Sequence, residues 1–91
     1  MLKIKPTNQF KKDLKKFKYN SKVIEELDHV LNALVHGKAL SVKYQDHVLS
    51  SNWNGHRECH LRPDTLLIYY IDEENKILTL TRIGSHSELF K

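Results

Sequence analysis

The sequence predicts an α+β fold of order βααβββ, with an N-terminal strand and a two-helix hairpin packed on one face of a small antiparallel sheet. Three observations predict it. Apolar residues recur with helical period only between Thr7 and His36, while strand-like runs divided by polar turns fill the stretch from His56 to Ile83. Two helices that share one apolar stripe cannot bury it between themselves and need a sheet to cover it. With 91 residues, 40% of them apolar and 29% charged, the chain has the size and composition of one globular domain spanning residues 1–91.

The elements follow in order. Leu2 and Ile4 alternate with Lys3 and Lys5 and stop at Pro6, which cannot donate to a ladder, so a short strand comes first. Thr7 or Asn8 caps a helix whose Phe10, Leu14 and Phe17 form one stripe. Tyr19-Asn20-Ser21 interrupts it and offers a second cap. Val23, Ile24, Leu27, Val30, Leu31, Leu34 and Val35 then repeat with helical spacing up to the stop at Gly37. Residues 38–54, containing Tyr44, Asp46, His47, Asn52, Trp53 and Asn54, show no sustained period and read as a long binding loop. A three-strand meander follows: His56 to Leu61, a turn at Arg62-Pro63-Asp64, Thr65 to Ile71, a polar turn from Asp72 to Asn75, and Lys76 to Ile83. Tyr69 and Tyr70, inside an apolar strand, read as packing residues. Gly84 and Ser85 break the last strand and leave a tail with His86, Leu89 and Phe90.

Composition excludes several classes. The longest apolar run, Leu66 to Ile71, is far short of the ~20 residues of a membrane span. The first residues carry no apolar block of the signal-peptide kind, so the expected location is the cytoplasm. A single cysteine, Cys59, provides neither an internal disulfide nor a thiolate zinc cluster.

The net charge of +4 is unevenly spread: residues 1–22 hold eight lysines, among them Lys11, Lys12, Lys15 and Lys16, against the one acid Asp13. Such a stretch suits a polyanionic partner, and it equally suits the solvated face of a helix.

Six histidines separate by position. His29 and His36 fall at charged and boundary positions of the second helix and read as structural. His47, His56, His60 and His86 all follow the helices. A shared metal for His56 and His60 is disfavoured, because on a strand they stand ~13 Å apart and Arg57 occupies the place where a metalloprotease motif needs Glu. These residue types suit metal-free cleavage of RNA by its own 2′-OH. That reaction needs a base, an acid and a cation for the phosphorane; imidazole, titrating at ~6.5, serves the first two roles and a guanidinium the third. Asp64, in the turn after His60, is placed to orient an imidazole or to act as a base, and Arg82 stands close before His86. Tyr44, Trp53 and Phe90 lie outside the periodic elements, where an exposed ring could seat a base and a buried one would plug the core.

The ordered strings Tyr44-Gln45-Asp46-His47, Trp53, Arg57-Glu58-Cys59-His60-Leu61-Arg62-Pro63-Asp64, Leu67-Ile68-Tyr69 and Arg82-Ile83-Gly84-Ser85-His86-Ser87-Glu88-Leu89-Phe90 resemble the YafQ-like branch of the RelE toxin superfamily over essentially the whole chain. The resemblance implies a helix hairpin on a small sheet and a type II toxin that cleaves mRNA, generally in the ribosomal A site, without a cofactor or metal. It places His47, His60, Asp64, His86 and Phe90 in the active site. His86 is then the general acid, and His47, His60 and Asp64 are the base and its network. Arg82 as phosphate ligand rests more on chemistry than on the motif. Thr65 stands where some relatives carry tryptophan, and His56 where an aromatic is common. On this reading Lys11, Lys12, Lys15, Lys16 and Arg57, with Trp53 and Phe90, contact RNA. The partners implied are mRNA and the ribosome, a cognate antitoxin that is acidic and folds on docking, and operator DNA only through the toxin-antitoxin complex; no membrane is implied. Two rivals remain: a gyrase-directed toxin of the ParE type without nuclease activity, and a basic nucleic-acid-binding module without chemistry.

Overall fold

The computed structural model describes residues 1–50 and 53–90; Asn52, part of the expected loop, lies outside the described residues. Strand β1 (Lys3–Pro6) leads into helix α1 (Asn8–Lys15) and helix α2 (Ser21–Val35). The Thr7 side chain accepts from the Phe10 N–H and the Asn20 side chain from the Val23 N–H, so each helix starts at a polar cap read from the sequence. Gly37, at φ 70°, turns the chain out of α2 in the left-handed conformation that costs a residue without Cβ little.

Within residues 38–54 the chain forms a 3-10 turn at Val42–Tyr44 and strand β2 (His47–Val48), too short to produce a period. Then come β3 (Arg57–Arg62), β4 (Thr65–Asp72) and β5 (Ile77–Gly84), and helix α3 (His86–Leu89) closes the described chain. The strand order is β1-β5-β4-β3-β2. Because β1 runs parallel to β5, the sheet is mixed, where local periodicity suggested a wholly antiparallel one. The pairing of the first strand with the last is a long-range choice that no local pattern encodes.

Alternation along β4 assigns the two faces. Leu67 and Tyr69 join Phe10, Val23, Leu27, Val30, Leu34, Cys59, Leu61, Leu78, Leu80 and Ile83 in the core beneath the helix hairpin. Each such burial contributes about 1.5–3 kcal/mol. Leu66 and Ile68 point the other way and pack with Leu89 of α3, with Leu49, Trp53 and Phe90 at the margin. The sheet therefore has a helix face and a second, thinly covered face. Among the described residues, no helix is long and apolar enough to cross a membrane.

Candidate active site

Directly paired residues in an antiparallel ladder project to the same face. The register pairs His47 with Glu58, Glu58 with Ile68, and Ile68 with Arg82, so one row crosses four strands of the thinly covered face. In the next row His60 pairs with Leu66 and Leu66 with Gly84, two strand spacings or ~10 Å across. The sheet thus gathers His47, Glu58, His60 and Arg82 on one surface, with Leu66 and Ile68 as its apolar floor.

Glu58 sits at the centre of the group. It is 5% exposed, His47 Nε2 lies 3.0 Å from its Oε2, and His60 Nε2 lies 3.8 Å from the same atom. Its Oε1 is buried and has no hydrogen-bond partner among the described residues. A buried carboxylate oxygen without a partner is costly, and such groups collect where chemistry requires them. The imidazole of His47 is oriented from behind: its Nδ1 donates to the Gln45 carbonyl at 2.8 Å, which leaves Nε2 turned to the carboxylate. Gln45 holds φ 49°, a left-handed conformation that aims this carbonyl. His60 also lines a cleft of about 410 Å³ with Gln45, Arg62 and Pro63.

His86 is carried by the short helix that follows β5. Helix α3 opens with a capping box in which Glu88 N–H donates to Ser85 Oγ and Ser85 N–H donates to Glu88 Oε1 at 2.9 Å. A methyl group on Gly84 would stand 3.1 Å from Glu88 Oε1 and 3.3 Å from Leu89 Cδ2, so any side chain there would press the α3 side chains outward by a few tenths of an ångström. His86 is exposed on this helix, with the Phe90 ring 4.8 Å away centroid to centroid. Lys16 reaches Glu88 at 3.2 Å and ties α3 to the end of α1, so this lysine has a partner within the chain. Lys11, Lys12 and Lys15 are exposed on α1.

Arg82 is anchored at the edge of the face. Its Nε and Nη2 donate to Asp13 Oδ2 and Oδ1, each at 2.9 Å, and the Ile83 N–H donates to the same carboxylate at 3.2 Å. Burial opposes ionisation of Asp13, but the hydrogen bonds from Arg82, Gln9 and Ile83 outweigh it and hold its carboxyl below the usual range. The one acid of the lysine-rich segment is thus a structural ligand of the arginine, and Nη1 is left outside the pair.

Several sequence-level expectations land elsewhere. Arg57 pairs with Tyr69 in the ladder and so belongs to the helix face, where it donates to Asp46 at 3.0 Å beside the Tyr69 hydroxyl, which donates to Asp46 at 2.6 Å. It is one residue out of phase with Glu58 and lies on the opposite face of the sheet from it. Tyr44 is buried, its hydroxyl donating to Glu26 at 2.8 Å, and acts as a core plug. Asp64 is exposed in the turn between β3 and β4, and among the described residues its side chain makes no hydrogen bond, so no imidazole is oriented by it here. Trp53 packs against the Leu66–Ile68–Leu89 cluster, half-buried. Tyr69 is buried as expected, but Tyr70 is 40% exposed because its side chain falls on the open face. His29 and His36 stay on the helix surface, the latter against the Asn32 carbonyl. Cys59 is fully buried, and burial first, with Asp46 and Glu58 adding, pushes its thiol up to about 12, so it is no nucleophile. The residue missed was Glu58. Its place two before His60 in a strand was the available signal, since period two puts both on one face.

Comparison with known proteins matches residues 2–91 to the family model of the YafQ bacterial toxin of type II toxin-antitoxin systems. The chain belongs to the YafQ toxin family. The mRNA interferase toxin YafQ of Escherichia coli strain B / BL21-DE3 is 35% identical over 88 residues, covering 96% of this chain and 94% of that protein. YafQ in the crystal structure of the E. coli DinJ-YafQ complex is 34% identical, with a TM-score of 0.87 and full coverage of both chains. A metal-bound toxin from Helicobacter pylori is 43% identical, with a TM-score of 0.90 over 99% of this chain and 100% of that one.

Proposed function

We propose that this member of the YafQ family is an endoribonuclease that cuts mRNA in the ribosomal A site by attack of the RNA's own 2′-OH. The observation that carries this reading is the buried Glu58 carboxylate with two imidazole nitrogens at 3.0 and 3.8 Å, on the face of the sheet against which α3, the helix carrying His86, packs through Leu89. The group of His47, Glu58 and His60 takes the proton of the 2′-OH as its oxygen bonds to phosphorus. Charge on the phosphorane meets the free Nη1 edge of Arg82. His86 gives a proton to the departing 5′-oxygen, leaving a cyclic phosphate on one fragment and a hydroxyl on the other. Phe90, against His86, positions the nucleotide by ring contact. Asp64, exposed in the turn after β3, joins the base network once RNA is bound, Trp53 at the margin of the Leu66–Ile68–Leu89 cluster contacts RNA, and Lys11, Lys12 and Lys15 of α1 hold the polyanion.

The mechanism uses no metal. The Helicobacter pylori relative supports treating this as a point to test. A cognate antitoxin, acidic and folding as it docks on the basic segment, is the expected partner, by analogy with the DinJ-YafQ complex. Operator DNA would be bound only by that complex.

The experiment is to add the purified protein to translating ribosomes and map mRNA ends, with and without chelator. Cutting that persists in chelator and drops about 10²–10⁴-fold in His86→Ala is expected. A His86→Ala variant as fast as wild type defeats the mechanism. Gyrase inhibition without cutting replaces it with the ParE-type reading.

A further inference from the structure

The β3–β4 ladder ends at the pair Arg57–Tyr69. Just past it stand His56, which precedes β3, and Tyr70 of β4, two residues or ~7 Å along the chain from Glu58 and Ile68 and in phase with them. There the structure assembles three rings. Trp53 meets His56 edge to face with centroids 5.7 Å apart, and His56 meets Tyr70 at 5.6 Å with planes tilted by 46°. Trp53 is held in turn by the cluster of Leu66, Ile68 and Leu89. Tyr70 is the outermost ring of the set and is 40% exposed, while its strand neighbours from Leu66 to Tyr69 are all buried. A large aromatic left half open next to five buried strand residues is braced from one side and exposed on the other.

Two more features show that this is a built surface. Gly55 adopts φ 87° and brings its backbone against Tyr70, an added Cβ falling 3.9 Å from Cε2. The His56 N–H donates to the Trp53 carbonyl at 2.9 Å, closing the turn that places both rings.

We infer that Tyr70, braced by His56 and Trp53, is a stacking platform for a nucleobase flanking the scissile phosphate. The inference deepens the nuclease reading and rests on it. A platform ~7 Å from the base group on the same face lies within reach of the adjoining nucleotide, and base–ring stacking needs only an exposed π-face and no hydrogen-bond code. Tyr70 is therefore a positioning residue: it sets where the strand lies and takes no part in proton transfer.

The test uses a short single-stranded RNA made uncleavable by a 2′-deoxy nucleotide at the cut site, with fluorescent 2-aminopurine beside it. Wild type is expected to quench the fluorophore on binding, Tyr70→Ala to bind about tenfold more weakly without quenching, and Tyr70→Phe to restore both. On cleavable mRNA, Tyr70→Ala should raise KM about tenfold and leave kcat within twofold. Replacing the flanking nucleotide by an abasic one should cost wild type the same factor and cost Tyr70→Ala nothing further. Absence of quenching by wild type, or equal KM in wild type and Tyr70→Ala, overturns the platform while wild-type cutting leaves the nuclease reading standing. Loss of antitoxin binding in Tyr70→Ala with unchanged RNA binding also overturns it and assigns the shelf to the protein partner.

Discussion

Asp13 and Arg82, 69 residues apart in sequence, are joined by two hydrogen bonds of 2.9 Å that clamp α1 to the free edge of β5. β1 covers β5 only as far as Leu80, and Asp13 takes over beyond it by accepting the Ile83 N–H. With Lys16–Glu88 beside it, this contact fixes the strand end from which α3 and His86 spring.

Removing the charge from this clamp should therefore cost stability. Asp13 is 2% exposed, so Asp13→Asn leaves Arg82 without its counter-charge and is expected to lose about 3 kcal/mol in urea unfolding at pH 7. The sign of the pH dependence follows from the lowered folded-state pKa of Asp13. Its contribution is complete above the ordinary carboxylate pKa and drains away as pH falls through the lower folded value. Between pH 5 and pH 2 wild type should lose its advantage and the two unfolding curves converge. A gap constant down to pH 2 would contradict the clamp.

Glu58 invites the opposite pattern. Its Oε1 is buried and has no hydrogen-bond partner among the described residues, so the group costs the fold something in return for its place between His47 and His60. Glu58→Gln is expected to lower the rate of mRNA cutting by about 10²-fold while leaving the melting temperature unchanged or raised. A variant that cuts normally, or one that loses activity only in proportion to lost stability, would remove Glu58 from the reacting group.

How much of this was legible beforehand depends on the range of each signal. Thr7, Asn20 and Gly37 announced the helix limits because caps and stops act within four residues. The unbroken apolar run of β4 hid its two faces: it did not separate Leu67 and Tyr69 from Leu66 and Ile68, and it masked the exposure of Tyr70. Strand β2, two residues long, and the parallel β1–β5 pair left no local trace. In the site, His47, His60 and His86 stood out by residue type. Arg57 did as well, but its side chain falls on the opposite face of the sheet, since a motif counts residues without counting faces.

That difference of face makes a direct test. Arg57 holds Asp46, and Asp46 holds the Tyr69 hydroxyl under the helix hairpin. Arg57→Ala should lower stability by about 1–3 kcal/mol and leave cutting per folded molecule unchanged. A selective loss of cutting or RNA binding at matched folded fraction would return Arg57 to the RNA surface.

The lysines of α1 remain. Lys11, Lys12 and Lys15 are exposed and make no side-chain ion pair among the described residues, whereas Lys16 serves Glu88. If the first three neutralise phosphates, each releases counterions when RNA binds. Replacing all three with Gln should then flatten the slope of log affinity against log salt by about 2, at roughly 0.7 per contact with single strands. Binding would fall most at low salt, and wild type and variant would converge as salt rises. The Lys16→Gln variant separates the two roles: it should leave the slope nearly unchanged and loosen α3, seen as a lower kcat through misplaced His86. An unaltered slope in the triple variant would reduce these lysines to a solvated helix face.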